Sequence, residues 1–310
     1  MQTKSKSTTY ERAIQEVAGF SLVFNTVRQQ VAISGKSEST FYNYIHRIAL
    51  TCLHFQRLPQ DISDDELTEY LTTLALDASS PSRSGFKHTV YGLRYYFRHV
   101  GLTNRAVDLP SIRKLSKLPV VFNHKELREL FRTPTLLKHR ILLLLGYSAG
   151  LRAHELCNLK IADIDFERMS IHVRQGKGNK DRMVPLAEYM AEGLRQYISI
   201  EKPTNWLFNG KNSLTNYSSR GISSVMREAL KKSSITKEAS IHTLRHSYAT
   251  HLLEQGINIV TIKNLLGHAK IETTMVYLHV AQCPLVPAHS PLDTLYPKSQ
   301  CLVNYSFPMK

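Results

Sequence analysis

The sequence is short of cysteine, of acid and of long apolar runs, and each shortage removes a class of protein. Its four cysteines (Cys52, Cys157, Cys283 and Cys301) are scattered through 310 residues with no C-x-x-C pair. That argues against a disulfide framework and fits free thiols in a reducing, cytoplasmic compartment. No apolar run approaches the ~18–20 residues that cross a bilayer. The longest, ILLLLGY at 141–147, reads as a buried helix. The opening MQTKSKSTTY lacks the apolar stretch of a secretory signal. Neither H-E-x-x-H nor G-x-x-x-x-G-K-[ST] occurs, so neither a zinc-protease helix nor a Walker A loop is expected. Acid is outnumbered, 25 Asp+Glu against 40 Lys+Arg, for a formal charge of +15. Such a surplus favours a polyanionic partner, nucleic acid or an anionic membrane surface. With no strongly cationic amphipathic helix and no lipidation motif, nucleic acid is the expected partner and a membrane is not.

The length suits two domains of ordinary size. In the first half, FYNYIHRIALTCLHF (41–55) sets Tyr44, Ile45, Ile48, Ala49, Cys52 and Leu53 on one helical stripe. DISDDELTEYLTTLAL (61–76) opens with acids that favour a helix start, and 82–102 reads as a further helix interleaved with Lys87, His88, Arg94 and Arg98. About four helices without strand signal make an all-α domain. Residues 103–121 carry prolines, a basic run and no sustained period, the character of a linker. Asn123 is a plausible N-cap for the helix HKELRELFRT. Helix 136–147 and a helical LRAHELCNL follow. IADIDFERMSIHVRQ and DRMVPL then read as strands around the turn GKGNK. LAEYMAEGLRQYISI returns to helix, TNWLFNG is a short exposed or strand-like piece, and the remainder is helical to Tyr277. The tail holds five prolines and little periodicity.

The chemistry concentrates in four places. HTLRHSYATH (242–251) puts His242 and Arg245 on one helical face at i and i+3, with Ala249, Leu252 and Leu253 free to face the core and Gly256 as a stop. By itself this could be a solvated basic face, and zinc would need ligands beyond His242 and His246. SAGLRAHEL places Arg152 after a glycine break, with Glu155 three residues on. That is an ordinary ion pair, or an arginine aimed at a phosphate by its carboxylate. GKGNK carries Lys177 and Lys180 in a turn, where most lysines are merely solvated. LLGH ends a helix at Gly267 and presents His268, and Tyr277 follows nine residues later. The helix pair around EQGIN also has the form of a helix-turn-helix, a transcription-factor reading.

Order and spacing decide among these. AGLRAHEL, GKGNKDRMVPL, HTLRHSYATHLLEQG and LLGHAKIETTMVYLHV closely resemble the signature segments of tyrosine recombinases: Xer-type recombinases, phage integrases and integron integrases. The resemblance covers residues 120 to 285 strongly and the N-terminal helices through architecture. It implies a mainly α fold with a small antiparallel β-sheet. The domains it implies are an all-α N-terminal core-binding (SAM-like) domain over 1–105, a linker at 106–121, a mixed α+β catalytic domain over 122–285 and a Pro-rich tail over 286–310.

The resemblance also implies a site-specific DNA recombinase or integrase that cleaves and rejoins DNA through a 3′-phosphotyrosyl intermediate, in integration, excision or resolution of mobile genetic elements. Tyr277 matches the nucleophile. Arg152 and Arg245 match the pair that clamps the non-bridging oxygens, a task suited to forked, permanently charged donors. His242 and His268 match positions that donate to the phosphate or assist proton transfer. Lys177 matches the general acid for the leaving 5′-oxygen, with Lys180 the alternative if the hairpin is shifted, and Glu155 matches a supporting carboxylate. His246 and His251 are then bystanders. No metal, cofactor or ATP is implied. The implied partners are double-stranded DNA recombination sites, held by a homotetramer on two sites.

The tail departs from the family pattern, because prolines at 284, 287, 291 and 297 oppose the long helix that relatives exchange between protomers. SPLDTL in that tail is similar to the ending of integron integrases, yet 186–241 is short for their extra helix, which favours duplex sites. Leu278 also follows the tyrosine where Thr is common. A type IB topoisomerase shares the chemistry, and a silent DNA-binding regulator would share the basic surface.

Overall fold

The computed structural model describes residues 7–76, 83–108, 118–174, 181–210, 212 and 214–281. The chain separates into two compact units, Met1–Leu115 and Ser116–Lys310.

The described part of the first unit is helical: α1 (Thr9–Glu16), α2 (Phe20–Ile33), α3 (Glu38–Phe55), α4 (Asp64–Leu76), α5 (Arg83–His99) and α6 (Thr103–Asp108). A capping box starts α1, with Thr8 and Glu11 each accepting the other's backbone N–H. Phe20, Val23, Val27 and Val31 bury one face of α2. They join Phe41, Ile45, Ile48, Ala49 and Cys52 of α3 and Val90, Leu93 and Phe97 of α5 in one core. Each such buried aliphatic or aromatic side chain stabilises by roughly 1.5–3 kcal/mol. Tyr44 and Leu53, expected on the α3 stripe, pack against this core only in part.

Helix α6 lies in the stretch that reads as aperiodic. Six residues are too few to show a 3.6-residue repeat, and tertiary contacts hold α6 instead. Arg105 donates through Nε to Asp64 (2.6 Å) and through its terminal nitrogens to the carbonyls of Pro59, Gln60 and Ile62. Its guanidinium also lies 4.8 Å from the centre of the Phe97 ring.

The second unit begins with α7 (His124–Arg132), where Asn123 accepts the backbone N–H groups of Lys125 and Glu126 as N-cap. It continues through α8 (Leu137–Ser148), α9 (Ala153–Cys157), β1 (Ile164–Asp165), β2 (Ser170–Val173), β3 (Arg182–Pro185), α10 (Glu188–Glu201), α11 (Ser219–Lys231), α12 (Ile241–Glu254), α13 (Ile259–Leu266) and α14 (Glu272–Met275). A 3-10 turn, Val276–His279, carries Tyr277. The sheet is antiparallel in the order β1-β2-β3, with Ile171 opposite both Ile164 and Val184. Ile171, Val173 and Val184 face the core, as strand alternation requires. Residues 175–180, with Lys177 and Lys180, lie outside the described residues, as does the tail from 282. TNWLFNG is exposed at Thr204 and Asn205 and then strand-like: Trp206 bridges to Lys160, and Leu207 and Phe208 are fully buried.

Helix α12 runs through the middle of this unit, and ten of its fourteen residues are buried. A helix covered on nearly all sides has no amphipathic stripe, so its polar residues are held inside rather than displayed. The solvated basic face that HTLRHSYATH could have been is absent here: Arg245 is fully buried and His251 is 6% exposed. Among the described residues no helix is long and apolar enough to cross a membrane.

Candidate active site

The site is built around the C-terminal end of α13. The last turn of any helix leaves carbonyls without an intrahelical donor. Here the chain reverses at Gly267, in the left-handed conformation (φ +62°), and its N–H and that of His268 donate to Asn264 and Lys263, a Schellman closure. The carbonyls beyond are taken by three arginines. Arg182 Nε donates to Leu265 (2.7 Å), an Arg245 terminal nitrogen to Leu266 (2.5 Å) and an Arg152 terminal nitrogen to Gly267 (3.4 Å). The negative end of the helix dipole favours cations at this place.

Glu155 ties the arginines together. It sits in the first turn of α9 and accepts the backbone N–H of Arg152 and one of its guanidinium nitrogens, both at 2.8 Å. It also accepts a two-pronged pair from Arg182, each arm 2.8 Å, and lies 3.8 Å from Arg245. Burial would raise its pKa, but Arg182 and then Arg152 outweigh burial and hold the carboxyl down at about 2. One carboxylate serves three guanidiniums, so two positive charges among these four groups have no counter-charge.

Arg245 is the most deeply placed of the three. A second terminal nitrogen donates to the carbonyl of Gly150 at 2.7 Å, while its buried Nε has no acceptor among the described residues. Burial, then Arg152, pull its guanidinium down to about 9. It remains charged at neutral pH, and the direction of the shift shows that an anion arriving here would be stabilising. Gly150 must be glycine: its φ is +59°, and a Cβ would meet Tyr248 Cδ1 at 2.5 Å.

Three imidazoles border the arginines. His242 lies in the first turn of α12, and its pKa is lowered by burial, then by Arg245 and Arg152. His268 is held by Thr274 Oγ1 at 2.9 Å from Nδ1; burial and the same two arginines take it down to about 3. His246 packs edge-on against His242, ring centres 4.5 Å apart, with its Nδ1 3.0 Å from the hydroxyl of Tyr277. Tyr277 is 2% exposed. Burial raises its pKa, and Arg245 and Arg152 act in the opposite direction.

Arg152, Glu155, His242, Arg245, His268 and Tyr277 are thus drawn to one locus from four separate segments, while Lys177 falls outside the described residues. His246, read as a bystander, contacts Tyr277 directly. His251 stands apart, bonded through Nδ1 to Tyr147 Oη at 2.9 Å. Arg182 escaped the sequence reading, although a signal existed. It has the same strand parity as buried Val184, which turns an arginine inward and demands a partner. Among the described residues no three His, Cys, Asp or Glu side chains group as metal ligands.

The chain is similar to known proteins along most of its length. The family model described as "Phage integrase family" matches residues 121–283, and that described as "Phage integrase, N-terminal SAM-like domain" matches 23–103. A tyrosine recombinase of Thermosipho africanus is 32% identical over 259 residues, covering 79% of this chain and 90% of that one. A crystal structure of XerA recombinase superposes with a TM-score of 0.50 at 26% identity, covering 84% of this chain and 94% of that one. A lambda integrase dimer bound to a core site shares the fold, with a TM-score of 0.68 at 20% identity over 82% of this chain and 94% of that one. With over half its length under one family model and a tyrosine recombinase matched along most of both chains, this protein belongs to the phage integrase family.

Proposed function

We propose that this tyrosine recombinase cleaves DNA by attack of Tyr277 on a phosphodiester, leaving a 3′-phosphotyrosyl link and a free 5′-hydroxyl. The observation that carries this reading is the pairing of Tyr277 with an uncompensated guanidinium cluster around Arg245. The transition state adds negative charge to the non-bridging oxygens, and Arg152 and Arg245 offer fixed donors there without reorganisation. His242 and His268, neutral at physiological pH, donate to the same oxygens. Glu155 fixes the arginines, and Lys177 protonates the leaving 5′-oxygen. The phosphotyrosyl bond conserves the energy of the broken one, so rejoining requires no ATP, and the arginines neutralise charge without a metal.

Both units bind DNA, in a chain divided into a core-binding domain over 1–105, a linker at 106–121, a catalytic domain over 122–285 and a tail over 286–310. Duplex recombination sites are the partners. The lambda integrase relative is a dimer on its core site, and four copies on two sites complete an exchange here, in the cytoplasm where the DNA lies.

The test uses a nicked duplex selected from a randomised pool for covalent capture by the unaltered chain. Tyr277→Phe should retain binding, with affinity falling steeply with salt as counterions are released, and should form no adduct on a denaturing gel. Capture by the unaltered chain should survive chelator. An adduct with Tyr277→Phe rejects the nucleophile assignment.

A further inference from the structure

The contact between His246 and Tyr277 assigns a task to a residue outside the clamp. We propose that His246 accepts the phenolic proton of Tyr277 as that oxygen attacks phosphorus, and returns it when the strand is rejoined. The proposal rests on Tyr277 being the nucleophile.

The geometry is that of a base already on its proton. Nδ1 of His246 lies 3.0 Å from Tyr277 Oη, inside the reach that a general base needs. The other imidazoles are placed differently. Nδ1 of His268 is engaged by Thr274, and the ring of His242 meets that of His246 edge to face, 4.5 Å between centres. Glu155 is filled by Arg152 and Arg182. The backbone supports the contact from both sides. His246 follows Arg245 on α12, and the 3-10 turn carrying Tyr277 packs on that helix, so one rigid element sets both the clamp and the base.

The groups facing His246 favour its neutral form. Burial comes first, then His242 and Arg245 on its own helix, and together they hold its pKa at about 4. A neutral imidazole protonated at Nε2 leaves Nδ1 open to accept from the phenol. Burial beside the guanidinium of Arg245 is a poor setting for an imidazolium until a phosphate enters the cluster. The negative charge that develops on phosphorus then offsets Arg245, and Tyr277 becomes more acidic as its oxygen bonds to phosphorus.

The step balances. The Tyr277 O–H bond breaks and its proton passes to Nδ1. The freed electron pair forms the O–P bond. The bond from phosphorus to the 5′-oxygen breaks, and that oxygen leaves with its pair and takes a proton from the general acid that the proposed function assigns to Lys177. In rejoining, the 5′-hydroxyl attacks and gives its proton back to that general acid, the P–Oη bond breaks and Nδ1 returns the proton to Oη.

The experiment measures single-turnover adduct formation on the selected nicked duplex. His246→Ala should slow it by on the order of 10²-fold or more, with DNA affinity and unfolding midpoint unchanged. His246→Gln, whose carbonyl can accept the hydrogen bond but cannot carry the proton away, should be as slow. Added imidazole should restore His246→Ala. A duplex with sulfur as the bridging 5′ leaving atom should not restore it, because the deficit lies on the nucleophile's side. In the unaltered chain, nitrogen NMR should find Nδ1 of His246 unprotonated.

Full activity in His246→Gln would reduce the residue to orienting the phenol, and rescue by the sulfur leaving group would move it to the other side of the reaction. Either outcome overturns the proposal, as does a proton resident on Nδ1. If Tyr277→Phe is inert while His246→Ala cleaves at full rate, this inference falls and the nucleophile assignment stands. An adduct with Tyr277→Phe removes both.

Discussion

Glu155 offers a stability test whose magnitude and pH window both follow from the structure. Its side chain is 2% accessible and accepts from Arg152 and Arg182 at 2.8 Å. The carboxyl is held at about 2 against an ordinary 4.5. At 1.36 kcal/mol per pK unit this corresponds to about 3 kcal/mol of folding stability. The folded pKa is depressed, so the contribution is fully present above the ordinary carboxylate value and is lost as pH falls through the folded one.

Glu155→Gln keeps the shape and removes the charge, leaving three guanidiniums without a buried counter-ion. The variant should be about 3 kcal/mol less stable at neutral pH, near the lower edge of the ~3–5 kcal/mol expected for stripping one partner from a buried pair. The gap should close as the pH is lowered through the window between 4.5 and about 2. Trp206, the single tryptophan, lies in the same unit, so urea unfolding followed by its fluorescence reports this unit. A gap that is equal at neutral and acidic pH would refute the account, because a pH-independent loss belongs to packing and not to charge.

Other substitutions separate the parts of the site. Gly150→Ala places a Cβ 2.5 Å from Tyr248 at a positive φ; it should cost at least about 1 kcal/mol and slow covalent capture, because the Gly150 carbonyl holds Arg245. Wild-type capture by that variant would show that this carbonyl does not position the arginine. Arg182→Lys trades three fixed hydrogen bonds for one point charge and should lose about 2–3 kcal/mol, measured by the same fluorescence. Asn123→Ala removes the cap of α7 and should cost about 1 kcal/mol while leaving the rate of capture per folded molecule unchanged. A slowed rate would tie α7 to the site.

Much of this architecture could be read from residue pattern. The stripe on α3, the Asn123 cap and the strands flanking the glycine turn each follow from a local rule. Helix α2 shows the helical period too, in Val23, Val27 and Val31. Helix α6 was beyond reach: six residues carry less than two turns of pattern, and the contacts of Arg105 that hold it come from more than 40 positions away. For α12, pattern reading points the wrong way. Histidine, arginine, serine and threonine describe a wet helix face until the surrounding elements are known to cover it.

The site has the same division. The identities of Arg152, Arg245 and Tyr277 stand out by motif, but what holds them does not. Three carbonyls at the end of α13 accept from three arginines that lie 83, 21 and 115 positions away in sequence. The choice of carbonyls as partners is what makes the cluster able to bind an anion. Had each arginine met its own carboxylate, geometry would be fixed but the charge cancelled. A carbonyl dipole orients a guanidinium and leaves its full charge in place, and Glu155 alone removes one unit of three. Burial first, and then the repulsion from neighbouring arginines, lowers the pKa values of Arg245, His242 and His268. Under the proposed function, a phosphodiester would relieve that repulsion on arrival, and the added negative charge of the transition state would relieve it further. The folding free energy of this unit therefore maintains a positive field that is unfavourable to itself, as the proposed attack on a phosphodiester requires, with the contact between Tyr277 and His246 beside it.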